Sequence, residues 1–158
     1  MKLNNFNIIE KSACLNFTIT MESKGIMAAI LIVDDSSSTR IQLRNFLEPH
    51  KHTCTEAING LDALEKLNNG PIDLIICDLN MPEMDGIEFI TRQSKNEKYK
   101  DIPTIMCTTE TINKKTEEGK TLYEKVKASG VVKAWIVKPI TPKKVSLILN
   151  FLEKLDLN

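Results

Sequence analysis

With 158 residues, 42% hydrophobic and 27% charged, the chain has the size and composition of one ordinary globular domain with a buried core and little room for a second. Its 21 basic and 21 acidic side chains cancel, which excludes the one-signed field that marks a whole molecule as a nucleic-acid or anionic-membrane binder. Four scattered cysteines (Cys14, Cys54, Cys77, Cys107) form no C-x-x-C pair and the histidines are only His50 and His52, which is poor material for a zinc site and fits a reduced, cytoplasmic setting.

Residues 1–26 mix Asn, Lys, Glu and Thr with isolated apolar residues. They lack the continuous apolar core of a secretory signal and show no period, so a poorly ordered extension is expected, with Met21 or Met27 as alternative starts. The folded domain is then 27–158. Its longest apolar run, Met27 to Val33, falls far short of the roughly 20 residues that cross a bilayer, so no membrane insertion is expected.

From Ala28 onward, short β-branched runs alternate with longer helical patterns, the signature of βαβ units feeding a parallel sheet. The strands are expected at Ala29 to Asp34, Thr53 to Ala57, Ile72 to Cys77, Pro103 to Cys107 and Ala134 to Val137. The second, being more polar, suits an edge. Ser36 is placed to cap a helix with Ile41, Leu43, Phe46 and Leu47 on its apolar side, stopping at Pro49. Asn59 or Gly60 opens a helix carrying Leu61, Leu64 and Leu67, and a third runs from Gly86 through Ile87, Phe89 and Ile90. Thr141-Pro142 starts the last, with Val145, Ile148, Leu149, Leu152 and Leu155. No linker or low-complexity tract appears, so no output domain is expected.

Right-handed crossovers give a doubly wound α/β sheet of five parallel strands with helices on both faces, and such sheets place their sites at the carboxyl ends of the strands. Those ends are Asp34-Asp35, Asp78, Thr108 and Lys138-Pro139. Three crowded carboxylates raise one another's pKa unless a cation sits among them, and Mg²⁺ suits an all-oxygen set that includes a phosphate. Lys138 supplies a charge for a phosphoryl oxygen and Thr108 a hydroxyl donor. An aspartate nucleophile, a metal, a cation and a hydroxyl are the parts that phosphoryl transfer to a carboxylate requires.

The segments ILIVDDSSSTR, DLIICDLNMPEMDG, TIMCTTE and AWIVKP, in this order, resemble the motifs of the receiver domain of two-component response regulators, over Ala28 to Leu155. The resemblance implies a flavodoxin-like fold with strand order 2-1-3-4-5. It makes Asp78 the phosphoacceptor, assigns Mg²⁺ to Asp34, Asp35, Asp78 and the backbone carbonyl of Asn80, and puts Thr108 and Lys138 on the phosphoryl group. Thr108 and Trp135 take the positions of the family's switch pair, and Asn80 with Glu110 those that tune dephosphorylation. Gly86, in the loop after the acceptor, is expected to allow a backbone angle that other residues resist.

The function implied is a single-domain, chemotaxis-like response regulator that takes a phosphoryl group from a histidine kinase and signals by protein contact. It is a switch and not an enzyme. Two alternatives stay open: a phosphorelay shuttle to a histidine phosphotransfer protein, and a phosphatase of the haloacid-dehalogenase type. The latter usually has a second acid two residues past its nucleophile, where this chain has Asn80. For Trp135, simple packing stands beside a switch role. Cys77 and Cys107 read as buried strand residues and His50 and His52 as solvated. Between Thr108 and Lys138 the chain exceeds the family's usual length by about two helical turns. The surplus is expected within Asn113 to Lys120 as a solvated loop or helix end, with altered partner choice as the second possibility.

Overall fold

The structure, a computed structural model, describes residues 26–155 and the backbone of Asn7 and Ile8. In chain order the elements are β1 (Asn7–Ile8), β2 (Ala29–Val33), α1 (Ser37–Leu47), β3 (Thr53–Ala57), α2 (Gly60–Asn68), β4 (Leu74–Cys77), α3 (Gly86–Lys95), β5 (Thr104–Thr108), α4 (Glu117–Ser129), β6 (Val132–Val137) and α5 (Pro142–Glu153). All pairings are parallel, and the sheet runs β1-β6-β5-β4-β2-β3. Its five main strands therefore follow the 2-1-3-4-5 order, with polar β3 at one edge as the sequence predicts.

The other edge differs from expectation. Asn7 lies opposite Ala134 and Ile8 opposite Trp135, which makes β1 a sixth strand beside β6. Two residues are too few to show a period, so sequence pattern does not predict it. The rest of the expected poorly ordered extension, except Ile26, lies outside the described residues.

Strand residues alternate between two cores, as the period of two requires. Leu31, Val33, Ile75, Cys77, Met106 and Trp135 face α2, α3 and α4, where they meet Ala63, Leu67, Phe89, Ile90 and Val126. Ile30, Ile32, Leu74, Ile76, Ile105, Cys107 and Ile136 face α1 and α5, against Leu43, Leu47, Val145, Ile148 and Leu152. At about 1.5–3 kcal/mol for each large apolar side chain fully buried, these two layers are what hold the strand ends in line.

Two residues expected on apolar helix faces are outside. Ile41 is 44% exposed and Leu61 46%. At 100° per residue Ile41 lies far around α1 from Leu43 and Leu47, and steps of three drift 60° each, so Leu61 has left the face that buries Leu67. Ala63 takes the buried place instead.

His52 also departs from expectation. It is buried at 9% exposure, and its Nδ1 accepts the Ala28 N–H at 3.3 Å. That donor opens β2 and needs a partner, which explains a histidine turned inward from a loop.

Among the described residues each of the five α-helices begins on a side-chain cap, Ser36, Asn59, Asp85, Thr116 and Thr141, which accepts an N–H of the first turn. Such caps are worth about 1 kcal/mol apiece. The fourth lies inside the expected surplus. Asn113 to Thr116 forms a turn, with Lys115 N–H donating to Asn113 Oδ1 at 3.0 Å and Thr116 Oγ1 accepting from Gly119 at 3.1 Å. The segment is therefore the capped start of α4, and its residues are exposed apart from buried Gly119 and half-buried Ile112 just before it.

Candidate phosphoacceptor site

The site is assembled by the sheet's own ladder. Asp78 N–H donates to the Val33 carbonyl at 2.8 Å, and Lys138 N–H to the Thr108 carbonyl at 2.8 Å. With β4 and β5 paired through Cys77 and Met106, four strand ends stand side by side and place Asp34, Asp35, Asp78, Thr108 and Lys138 on one edge of the sheet.

Asp34 is 2% exposed and Asp78 8%, while Asp35 is exposed. One carboxylate oxygen from each lies within 4.8 Å of the others. Lys138 bridges two of them, with Nζ 2.7 Å from Asp34 Oδ2 and 3.2 Å from Asp78 Oδ2. The remaining oxygens have backbone donors: Ser36 N–H to Asp34 Oδ1 at 2.8 Å and Leu79 N–H to Asp78 Oδ1 at 2.7 Å.

Burial sets the charge balance. Desolvation pushes the Asp34 carboxyl above its ordinary range, more strongly than the Lys138 and Ser36 bonds pull it down, and Asp78 adds repulsion. Burial also works against charge on Lys138, but its bonds to Asp34 and Asp78 outweigh that and raise its pKa, so the ammonium stays protonated. One lysine among three carboxylates leaves a net negative pocket. An all-oxygen set of this size, partly open through Asp35, fits a hard divalent cation such as Mg²⁺ and suits a soft metal poorly.

Above the acceptor, Asn80 donates from Nδ2 to Glu110 Oε1 at 3.4 Å. Thr108 is fully buried and its Oγ1 accepts the Glu110 N–H at 3.3 Å. Trp135 is 1% exposed and donates from Nε1 to the Glu110 carbonyl at 2.8 Å. Glu110 thus meets all three through its side chain, N–H and carbonyl. The Lys138-Pro139 peptide is cis.

Gly86 has its reason in space and not in an unusual angle. Gly130, the C-cap of α4, is the glycine with positive φ among the described residues. At Gly86 a Cβ would stand 2.3 Å from the Asp78 carbonyl oxygen, and the Gly86 N–H donates to the Leu79 carbonyl at 2.7 Å. The left-handed residue of that loop is Glu83, whose carboxylate accepts from Asn59 at 2.8 Å.

Sequence reasoning missed Arg40 and Glu56. Arg40 donates from Nη1 to the Asp34 carbonyl at 2.8 Å and from Nε to Glu56 at 2.9 Å. An arginine in the first turns of a helix looks like any solvated charge until the fold turns it back toward the strand.

The receiver-domain model of response regulators matches residues 30–150. The chain is 38% identical over 116 residues to a chemotaxis protein CheY homolog of Campylobacter jejuni, covering 72% of this chain and 83% of that protein. It also matches the sensor histidine kinase CheAY of Helicobacter pylori, 43% identical over 81 residues, half of this chain but 10% of that protein. Among solved structures, Vibrio cholerae CheY4 superposes with a TM-score of 0.69 at 35% identity, over 80% of this chain and 99% of that one. The Thermotoga maritima response regulator TrrA, solved in complex with Mg²⁺-BeF, superposes at 0.64 with 27% identity over 80% of this chain and 99% of that one. This chain belongs to the receiver domain family of response regulators, signalling switches that work through an acidic Mg²⁺ pocket.

Proposed function

We propose that the chain is a chemotaxis-like response regulator that accepts a phosphoryl group on Asp78 from a histidine kinase and passes the signal on by protein contact. One observation carries this: Asp78, buried at the end of β4, lies beside the Asp34-Asp35 pair and shares the ammonium of Lys138 with Asp34. Its relatives support the signalling context, since the chain spans 83% of the Campylobacter CheY homolog and 99% of the Vibrio CheY4 structure.

In the reaction a carboxylate oxygen of Asp78 attacks phosphorus, the new O–P bond forms as the P–N bond of a phosphohistidine breaks, and the imidazole leaves with a proton. Asp34, Asp35, the Asp78 carboxylate and the Asn80 carbonyl would hold Mg²⁺, which supplies neutralisation of the phosphoryl oxygens. Lys138 moves its bond from Asp78 to a phosphoryl oxygen. Thr108, whose hydroxyl proton is not used by Glu110, donates to another. Hydrolysis by water returns the carboxylate and inorganic phosphate, in a space bounded by Asn80 and Glu110.

The test is incubation of the protein with Mg²⁺ and a small phosphodonor, read by intact mass. One phosphoryl group is expected on the wild type and none on Asp78→Asn. Modification that persists in Asp78→Asn overturns the assignment.

A further inference from the structure

We propose that Arg40, braced by Glu56, is a positioning residue that holds the Asp34–Asp35 turn in the shape that binds the metal. The proposal rests on the metal reading above. Among the described residues Asp35 has no hydrogen bond or ion pair of its own to fix its carboxylate, yet that carboxylate lies with those of Asp34 and Asp78. Its place must come from the backbone.

The Asp34 carbonyl and the Asp35 N–H belong to one planar peptide, so holding the oxygen sets the direction in which Asp35 leaves the strand. Arg40 Nη1 holds that oxygen at 2.8 Å. The guanidinium is itself fixed, with Nε on Glu56 Oε2 at 2.9 Å and its side chain 12% exposed. Glu56 is fixed in turn, because it sits on β3 opposite Ile32 and its second oxygen accepts from Arg44 at 2.6 Å. A strut therefore runs from the edge strand, through the fork of Arg40, to the peptide between the two metal carboxylates. Only an arginine reaches both ends, because its donors diverge in a rigid plane.

A simple charge effect predicts the opposite sign. A cation beside an acidic pocket repels Mg²⁺, and its removal tightens binding; a strut, when removed, loosens it. Glu56 offsets the charge of Arg40 and leaves the geometric effect dominant.

The experiment measures Mg²⁺ affinity of the full chain by calorimetry at constant ionic strength for wild type, Arg40→Met and Arg40→Lys. Arg40→Met keeps the stem and removes the fork, and is expected to weaken Mg²⁺ binding about five- to tenfold, the scale of one ordinary hydrogen bond, since the loss reaches the metal only through the backbone. Arg40→Lys keeps the charge but reaches one partner at a time, and is expected to fall between the two. In metal-free protein, the amide resonance of Asp35 moves in both variants. Equal or tighter Mg²⁺ binding in Arg40→Met overturns the proposal. Should that variant fail to fold, wild-type affinity in Arg40→Lys does so. Wild-type protein that binds no Mg²⁺ removes the metal reading itself, an outcome distinct from either.

Discussion

The indole of Trp135 donates to the carbonyl of Glu110 at 2.8 Å, and the N–H of the same Glu110 donates to Thr108 Oγ1 at 3.3 Å. One residue thus joins the hydroxyl at the end of β5 to the buried aromatic on β6. If Thr108 swings toward a phosphoryl group on Asp78, Glu110 follows, and the indole bond changes length or breaks. Trp135 is the chain's single tryptophan, so its indole N–H is one NMR resonance. That resonance is expected to shift on adding Mg²⁺ and beryllofluoride to the wild type, and to stay put in Asp78→Asn. In Thr108→Ala the shift should shrink, because the link to Glu110 is cut. An unchanged resonance in saturated wild type leaves Trp135 as packing alone.

Gly86→Ala places a methyl 2.3 Å from the Asp78 carbonyl oxygen and 3.0 Å from Leu79 Cα, both backbone atoms that cannot rotate away. The loop must shift and carry the acceptor with it. A loss of about 3 kcal/mol by urea denaturation is expected, the upper range for overpacking, together with slower phosphorylation. Gly119→Ala provides the contrast. Alanine gains about 1 kcal/mol of helix propensity there, but its methyl meets the Asn113 carbonyl at 2.0 Å. Only that exposed turn must yield, so the net loss is expected to be smaller and phosphorylation unaffected.

How much of this was visible beforehand depends on distance along the chain. The strands announced themselves through β-branched runs, and once their order was set, Asp34, Asp78, Thr108 and Lys138 had to meet, because ladder bonds align neighbouring strand ends. The Arg40 contact with Asp34 depends on how a helix folds back on its strand, and hydropathy says nothing of that. Gly86 was visible as a special position but with the wrong reason, since sequence cannot separate a need for space from a need for an angle. His52 hid for a related reason: a loop histidine looks solvated until an orphan strand N–H, here that of Ala28, is found to need it.

The thiols offer a check on the two cores. Burial pushes Cys77 well above the ordinary thiol range and Cys107 up to about 12, and the more accessible Cys54, by burial and then Glu48, up to about 11. Thiolate is the reactive form, so all three should resist a thiol reagent at pH near 8 in folded protein. Mapped by peptide mass, Cys54 is expected to label slowly and Cys77 and Cys107 not at all until urea is added. Rapid labelling of Cys77 or Cys107 in folded protein contradicts the packing around Asp78 and Thr108.

His52 makes stability depend on pH. Its Nδ1 accepts the Ala28 N–H, so the imidazole is neutral with its proton on Nε2, and protonating Nδ1 would set two donors face to face. Burial first, and the neighbouring charge of His50 second, lower its pKa below 6.5. For a base whose pKa falls on folding, the unfolded chain binds the proton more readily, so stability rises with pH. This contribution is complete above the unfolded value of about 6.5 and is lost as the pH falls through the lower, folded value. Urea midpoints are therefore expected to drop from about pH 7 to about pH 5, before most carboxylates titrate. His52→Gln keeps an acceptor for Ala28 and cannot take up the proton, so its midpoint should vary less over that window. A wild-type midpoint that is flat, or a His52→Gln profile that falls as steeply, would show that the imidazole does not hold the start of β2.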